Sequence, residues 1–321
     1  MTNIPLVTVG IPNYNYSGYV IEALNSVVAQ TYQNIEIIII DDLSTDESVE
    51  VINQWIMAYQ GKMKIIFIKN TVNSGLAKVC NQILYDAKGK YFQTLDADDI
   101  LLCDKIEKQV ELLEAADNAA LVYSNVEVID ETGKIIDDNY FRRIKYDQDN
   151  MPGGDIFENL FDFNFIPLPS VLVNTEYAKK VGGFDDSLHI QDYYMWLKLA
   201  EKFKAIHLPA KTALYREHST SMSKGKNTHP KIIESTLEIK YRYYVRCNEN
   251  IKKIIRRNIY FYSAYLYRSN YPSAGKWLKV NYRLNPGFVS FTYYIANAFG
   301  IPCSFLDTIK LKLGFRQATK N

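Results

Sequence analysis

Cysteine is scarce in this 321-residue chain: Cys80, Cys103, Cys247 and Cys303 lie far apart and form no CxxC pair. That argues against a zinc site and a disulfide framework, and a reducing cytoplasm is the expected setting. No GxGxxG follows the first apolar run and no Walker A sequence occurs anywhere, so dinucleotide-dehydrogenase and P-loop readings fall away. No basic segment with an apolar core opens the chain, because Met1-Thr2-Asn3-Ile4-Pro5 leads straight into a strand-like run; no signal peptide is expected. Long apolar runs are missing as well. The stretch from Asn285 to Leu306 carries no charge and includes Phe288, Phe291, Tyr293, Tyr294, Ile295, Phe299 and Ile301, but Asn297, Gly300 and Pro302 interrupt it. An interfacial or partner-packing segment is therefore expected there rather than a membrane span, with an ordinary helical subdomain as the alternative.

What is present is a globular composition, 47% hydrophobic and 13% aromatic, in a length that suits one large domain plus an appendage. The formal net charge of +1 hides a segregation. Ile251 to Asn321 holds twelve Lys/Arg against the single Asp307, a net of +11, and the preceding residues hold 25 basic and 35 acidic side chains, a net of -10. A basic tail of this kind can meet nucleic acid, an anionic membrane or an acidic partner, or dock on the acidic body; its interleaved aromatics favour a membrane surface.

Apolar runs alternate with amphipathic stretches through the first half, the pattern of βα units around a doubly wound, mostly parallel sheet in an α/β fold. Strands are expected at Leu6–Ile11, Ile35–Ile40, Lys64–Ile68, Tyr91–Leu95 and Ala120–Val126, and helices at about Gly18–Gln30, Asp46–Tyr59, Gly75–Ala87 and Asp104–Ala115. After Val128 come a turn at Asp130-Glu131-Thr132-Gly133-Lys134, a short helix at Ile156–Phe163, a strand at Ser170–Asn174, a helix near Gln191–Lys202 and an extended segment at Thr212–Arg216. The expected domain boundary falls at about residues 227/228, with a largely helical region beyond. In doubly wound sheets ligands bind beyond the carboxyl ends of the strands. Pro12-Asn13-Tyr14-Asn15, Asp41-Asp42-Leu43-Ser44, Asn70 to Gly75 and Asp96 to Asp99 are thus expected on one rim.

The tetrad Asp96-Ala97-Asp98-Asp99 is the most informative of these loops. Carboxylates crowded at the end of a buried strand repel one another and persist where a cation or hydrogen-bond donors offset them. A hard divalent ion carrying a substrate diphosphate suits such a site; a solvated acidic turn capping the helix near Asp104 is the alternative. Asp192 stands at the mouth of a helix whose Met195, Trp196, Leu199 and Phe203 face the core, so it reads as either an N-terminal charge or a functional carboxylate.

Seven segments, in this order, resemble the motifs of family 2 glycosyltransferases with the GT-A fold. They are Val9 to Asn15, Ile38 to Asp46, Asn73-Ser74-Gly75-Leu76 with Asn81, Leu95 to Asp99, Gly182-Gly183-Phe184-Asp185, Gln191 to Leu197 and Tyr215-Arg216-Glu217-His218. They cover about the first 225 residues. The resemblance implies an inverting, metal-dependent transferase of a hexosyl or N-acetylhexosaminyl group from a nucleoside-diphosphate sugar, with uracil as base and Mn2+ or Mg2+ as cofactor. It implies nucleotide contacts at Pro12, Asn13, Tyr14, Asp41, Asp42, Asn73, Gly75, Lys78, Asp96 and Ala97, and a donor-sugar contact at Asp99. Metal ligands would be Asp98, Asp96 and His218, though a histidine on a polar loop also reads as a surface residue. Asp192 would be the catalytic base, and Gly183, Phe184, Gln191 and Trp196 would lie on the acceptor side, aromatics at helical spacing being also ordinary core residues.

The chain departs from the family pattern twice. Gln191-Asp192 stands where a Glu-Asp pair is common, which keeps the base and removes a neighbouring charge. Cys80 stands where an Arg often precedes Asn81, leaving Lys78 or Arg216 to replace its phosphate contact. The implied acceptor is a saccharide or lipid-linked saccharide of surface polysaccharide synthesis. The enzyme would work in the cytoplasm, at the inner face of the membrane if the C-terminal region binds there; that region is equally a candidate oligomer contact. No nucleic-acid partner is expected. The competing reading is a non-catalytic sugar-nucleotide-binding or scaffold subunit of the same fold, against which the intact Asp98 and Asp192 argue.

Overall fold

The structure, a computed structural model, describes residues 4–219, 221 and 229–306. The chain divides into two compact units between Ser221 and Met222. Of the segments singled out above, most of the polar loop after His218 and the last fifteen residues of the basic tail lie outside the described residues.

The first unit runs β1 (Val7–Asn13), α1 (Val20–Val28), β2 (Ile35–Asp41), α2 (Ser48–Ala58), β3 (Lys64–Lys69), α3 (Leu76–Asp86), β4 (Tyr91–Thr94), β5 (Ile100–Leu101), α4 (Lys105–Ala115), β6 (Ala119–Ile129), β7 (Ile135–Asp137), α5 (Tyr140–Arg143), α6 (Phe157–Asp162), β8 (Leu172–Asn174), α7 (Thr175–Lys180), α8 (Gln191–Ala200) and β9 (Lys204–Arg216). One sheet takes all nine strands in the order β3-β2-β1-β4-β8-β6-β9-β5, with β7 paired to β6. Strands β3, β2, β1 and β4 are parallel, and β1, β2 and β4 are buried along their whole length. Helix α1 shows the matching spacing, with Val20, Ala23, Leu24 and Val27 all buried.

Past β4 the sheet changes character. Strand β8 arrives some eighty residues later in sequence and inserts antiparallel between β4 and β6, so β6 is not the next parallel neighbour that the βα alternation alone suggests. The sheet is mixed. Strand β9 begins eight residues before the expected Thr212. Pro209 hides its first half in the sequence, and the pairing with β6 skips Pro209 and Ala210 between Ser124↔Leu208 and Asn125↔Lys211, which tolerates a residue without a backbone donor. The two-residue strand β5 pairs Ile100↔Leu214 and Leu101↔Ala213, which brings the end of β9 beside the acidic tetrad. A buried lysine ties β4 to α4 and β8: Lys105 Nζ donates to Gln93 Oε1, to Gln109 Oε1 at 2.6 Å and to the Val171 carbonyl at 3.3 Å, and burial pushes its ammonium well below the usual lysine range.

The second unit contains α9 (Pro230–Tyr244), α10 (Glu249–Arg268), α11 (Ala274–Leu284) and α12 (Phe288–Ala298). Asn248 caps α10 by accepting from Ile251 N, and Pro230 opens α9, where its missing donor costs nothing. Ile255, Ile259, Leu266, Trp277 and Leu278 form the interior between α10 and its neighbours. No helix among the described residues is long and apolar enough to cross a membrane.

Candidate active site

The chain leaves β1 toward β2 on one side and later enters β4 on the other, so the loops after β1 and β4 diverge at a topological switch point. The loops after β1 and β2 are stitched together. Asn13 Nδ2 donates to Asp41 Oδ2 at 2.8 Å, Ser44 N to Asp41 Oδ1 at 2.9 Å, and the Asn15 side chain, at a φ of 60°, accepts from Thr45 N at 2.8 Å. Asp42 organises the loop after β3: it accepts from Asn70 Nδ2 (2.8 Å), Ser74 N (3.0 Å), Ser74 Oγ (2.9 Å) and Gly75 N (2.8 Å). Burial alone would raise the Asp42 pKa, but these donors outweigh it and hold the carboxyl below the usual range. Gly75, with φ at 88° immediately before α3, takes a backbone conformation that side chains rarely adopt.

Next to this frame, Asp96, Asp98 and Asp99 bring carboxylate oxygens within 4.8 Å of one another. His218 Nε2 lies 2.9 Å from Asp98 Oδ2, and its ring stacks on Tyr19 with centroids 5.5 Å apart and meets Tyr16 edge-on. Asp99 is fully buried: Oδ1 accepts from Arg216 N at 2.9 Å, while Oδ2 has no hydrogen-bond partner among the described residues. Burial and then repulsion from Asp98 and Asp192 push the Asp96 carboxyl up to about 8. Burial, Asp98 and Asp96 push Asp99 well up against the pull of Arg216. A buried oxygen without a donor, in a cluster of carboxylates that resist ionising together, fits a hard divalent cation with oxygen ligands, and an imidazole nitrogen of His218 beside Asp98 fits the same ion.

Asp192, in the first turn of α8, faces this cluster closely enough for its charge to raise both Asp96 and the buried Cys80 thiol. Burial pushes Asp192 itself up to about 6, even though the backbone amides of Tyr193 and Asp192 pull it down. Beside it lies Tyr140 of α5, whose phenol is pushed up to about 12 by burial and by the Asp192 charge. A carboxylate with a pKa near neutrality, held in a low-dielectric pocket, is the ordinary equipment of a general base.

Comparison with known proteins fits this geometry. The family model for Glycosyl transferase family 2 matches residues 8–166. An uncharacterized glycosyltransferase of Methanocaldococcus jannaschii is 30% identical over 267 residues, 82% of this chain and 86% of that protein. The chain belongs to the family 2 glycosyltransferases. An uncharacterized glycosyltransferase of Rickettsia conorii is 33% identical over 234 residues, but these are 70% of this chain and only 36% of that longer relative. Among solved structures, Staphylococcus aureus TarS 1-349 in complex with UDP-GlcNAc superposes with a TM-score of 0.60 at 14% identity, covering 94% of this chain and 92% of that one. The mannosyltransferase PcManGT of Pyrobaculum calidifontis, in complex with GDP-Man and Mn2+, gives 0.57 at 18% identity, covering 97% and 85%. These two likenesses establish the fold, which is GT-A.

In this glycosyltransferase the residues singled out from the sequence fall into three groups. Asp96, Asp98 and Asp99 form one carboxylate cluster, joined by His218 through Asp98 and near enough to Asp192 to feel its charge, with buried Ala97 in the same turn. Asn13, Asp41, Asp42, Asn73 and Gly75 form the adjoining rim, Asn73 by donating to the Asp42 carbonyl at 3.0 Å. Pro12 and Asn13 are buried, so Tyr14, half-exposed, is the side chain of the first loop that offers a surface. The third group holds α3 against the loop before α8. Asn81 donates to the Phe184 carbonyl and accepts from Phe184 N, both at 2.8 Å, and exposed Lys78 sits 3.9 Å from Asp186.

Two expectations are corrected here. Trp196 and Phe184 are 3% and 5% exposed and line a small enclosed space with Phe92, Leu168 and Met195, so neither ring faces an acceptor. Gln191 is likewise buried at the start of α8. Arg216 cannot take over a phosphate contact, because its guanidinium is turned inward and committed. Nε donates to the Asp98 carbonyl (2.8 Å), one terminal nitrogen to Glu22 Oε2 (2.6 Å) and the other to the carbonyls of Asp130 and Glu131, while its plane lies over Tyr19.

Sequence reasoning missed Tyr16, Tyr19 and Glu22, whose signal was their place between two recognised rim segments. It also missed Leu43, Val72 and Leu76, apolar residues 41–69% exposed on the same rim loops, and Tyr140, for which the sequence carries no signal.

Proposed function

We propose that this chain is a metal-dependent, inverting glycosyltransferase that moves a hexosyl or N-acetylhexosaminyl group from a UDP-sugar to a hydroxyl of a saccharide or lipid-linked saccharide in surface polysaccharide synthesis. The observation that carries the reading is a half-buried carboxylate in the first turn of α8, Asp192, whose pKa is raised to about 6 by desolvation and whose charge reaches Asp96 of the three-carboxylate cluster. In this arrangement the acidic cluster belongs to the donor and Asp192 to the acceptor. Asp192 accepts the proton of the attacking hydroxyl, the hydroxyl oxygen bonds to the anomeric carbon, and the bond from that carbon to the diphosphate oxygen breaks on the opposite face. One displacement inverts the anomeric configuration.

Asp96, Asp98, Asp99 and His218 would hold a divalent cation, Mn2+ or Mg2+, which when bound supplies Lewis-acid neutralisation of the diphosphate. Tyr14 with the Asp41, Asp42 and Asn73 rim would receive the nucleotide base and ribose; Asp99, expected at the donor sugar, is 1% exposed and would act through the cation instead. UDP as carrier and the metal are supported by analogy with the two solved neighbours, whose complexes contain UDP-GlcNAc in one case and GDP-Man with Mn2+ in the other.

A panel of nucleotide sugars, assayed for nucleoside-diphosphate release with and without manganese, tests the reading. Release with one donor, dependent on the ion and abolished in Asp98→Asn, is expected. Donor binding without release under any acceptor would instead favour a non-catalytic nucleotide-sugar-binding subunit.

A further inference from the structure

The second unit carries a surface that the transfer reaction does not use. On α12, Phe288 and Phe299 are 81% and 78% exposed and Phe291 is 45% exposed. At about 100° per residue, Phe288, Phe291, Ile295 and Phe299 fall on one stripe, opposite the face through which buried Ser290 and Tyr293 pack inward. A solvent-facing helix usually turns polar side chains outward; this one turns phenylalanines outward and has no charged residue at all.

Cations border the stripe. Tyr282 of α11 meets Phe291 and stacks on Tyr294, and exposed Lys279 and Arg283 lie on the Tyr282 side of α11 at helical spacing. The sequence of this unit carries a positive net charge. Residues 222–321 contain eighteen Lys/Arg against four Asp/Glu, a net of +14, whereas residues 1–221 carry 19 against 32, a net of -13. The change of sign falls at the division between the two units.

From the outward phenylalanine stripe of α12 and its cationic border we infer that this face docks on an anionic lipid bilayer, with α12 lying in the interface. Phenyl rings gain by entering the headgroup boundary, and the flanking cations gain by sitting over acidic headgroups; the two contributions together give reversible attachment without a spanning helix. An acidic protein surface would satisfy the cations and leave the three-turn apolar stripe unexplained, and a second copy would set +14 against +14. The inference goes beyond the proposed chemistry and stands whether or not the donor and acceptor are the ones named above.

The full chain is sedimented with vesicles of phosphatidylcholine alone and of phosphatidylcholine with phosphatidylglycerol, alongside size-exclusion light scattering of the lipid-free protein. Binding only to the anionic vesicles, weakened by raised salt, is expected. The double variant Phe288→Ser/Phe299→Ser and the double variant Lys279→Glu/Arg283→Glu should each lose about tenfold or more in partitioning while retaining the helical circular-dichroism signal and donor turnover. Equal binding to both vesicle types, no binding, or binding that the substitutions leave unchanged would overturn the inference. So would a concentration-dependent dimer that Phe288→Ser/Phe299→Ser dissociates, since the stripe would then belong to a second copy.

Discussion

As the proposed base, Asp192 would act only when ionised, and desolvation raises its pKa to about 6. Activity with the true acceptor should therefore fall about tenfold per pH unit below pH 6 and level off above it, a limb visible in kcat/KM against pH. Asp192→Asn should lower kcat by about 10²–10⁴ while leaving donor affinity near wild type, measured by nucleotide-sugar binding. Asp96 has the opposite consequence for stability. Its folded pKa, about 8, lies above the unfolded value near 3.8, so the folded state retains a proton that the unfolded state has already released across that window. Without metal, stability should decrease as pH rises from about 4 to about 8. Asp96→Asn should raise Tm at pH 8 and flatten that slope, read by calorimetry in chelator. Arg216 is a different kind of residue, a buried cation whose bonds hold Asp98, Asp99 and Glu22 to the end of β9. Arg216→Gln should cost about 2 kcal/mol or more in urea unfolding, because Asp99 would lose its neighbouring positive charge while staying buried.

At the scale of elements, the site depends on how closely α3 approaches its neighbours. Gly10, in the middle of β1, has no room for a methyl group: a Cβ there would meet Ile83 Cγ2 at 2.4 Å. Gly10→Ala should destabilise by about 1–3 kcal/mol through overpacking, measured by the denaturation midpoint at unchanged m-value. Two residues before Ile83 on α3, Asn81 joins the helix to the loop before α8 through Phe184. Gly183 in that loop has φ at 58°, and a Cβ would sit 2.3 Å from Asn81 Oδ1. Asn81→Ala leaves the two Phe184 backbone groups without their partner and should cost about 1–3 kcal/mol. Because α8 and Asp192 follow this loop, the same variant should raise the KM for acceptor more than that for donor. The expected elements with long apolar or amphipathic periods, β1 to β4 and α1 to α4, stand within a few residues of their observed positions because each buries one regular face. Strand β8, expected at Ser170–Asn174, stands at Leu172–Asn174, whereas β5 and the first half of β9 were not legible. Two residues carry no period, and Pro209 interrupts the one long strand.

For the molecule as a whole, the acidic cluster stores repulsion that a bound divalent cation would relieve. Saturating Mn2+ should raise the Tm of the wild-type chain, with little effect in Asp98→Asn, and differential scanning fluorimetry with and without chelator reads the difference. The fold, like the site, is split between what is near and what is far in sequence. Its parallel half is built by consecutive βα units; its other half is completed by strands that return from residues 172–174 and 204–216 to flank β6. The ordered motifs made the family visible before any coordinates did, since each motif is local: a strand end with its loop, or a helix with its first turn.

The sequence by itself determined the α/β class, the rim loops, the acidic tetrad and the charge segregation, because periodicity, turn residues and composition are properties of neighbouring residues. Only the tertiary structure decided which of those groups meet. The pairing of β5 with β9 sets His218 2.9 Å from an Asp98 oxygen and turns Arg216 inward, and the packing of α8 brings Asp192 to face Asp96. Burial, which no local pattern measures, then separates their chemistry: it raises the carboxyls of Asp96, Asp99 and Asp192 and takes Trp196 out of contact with solvent.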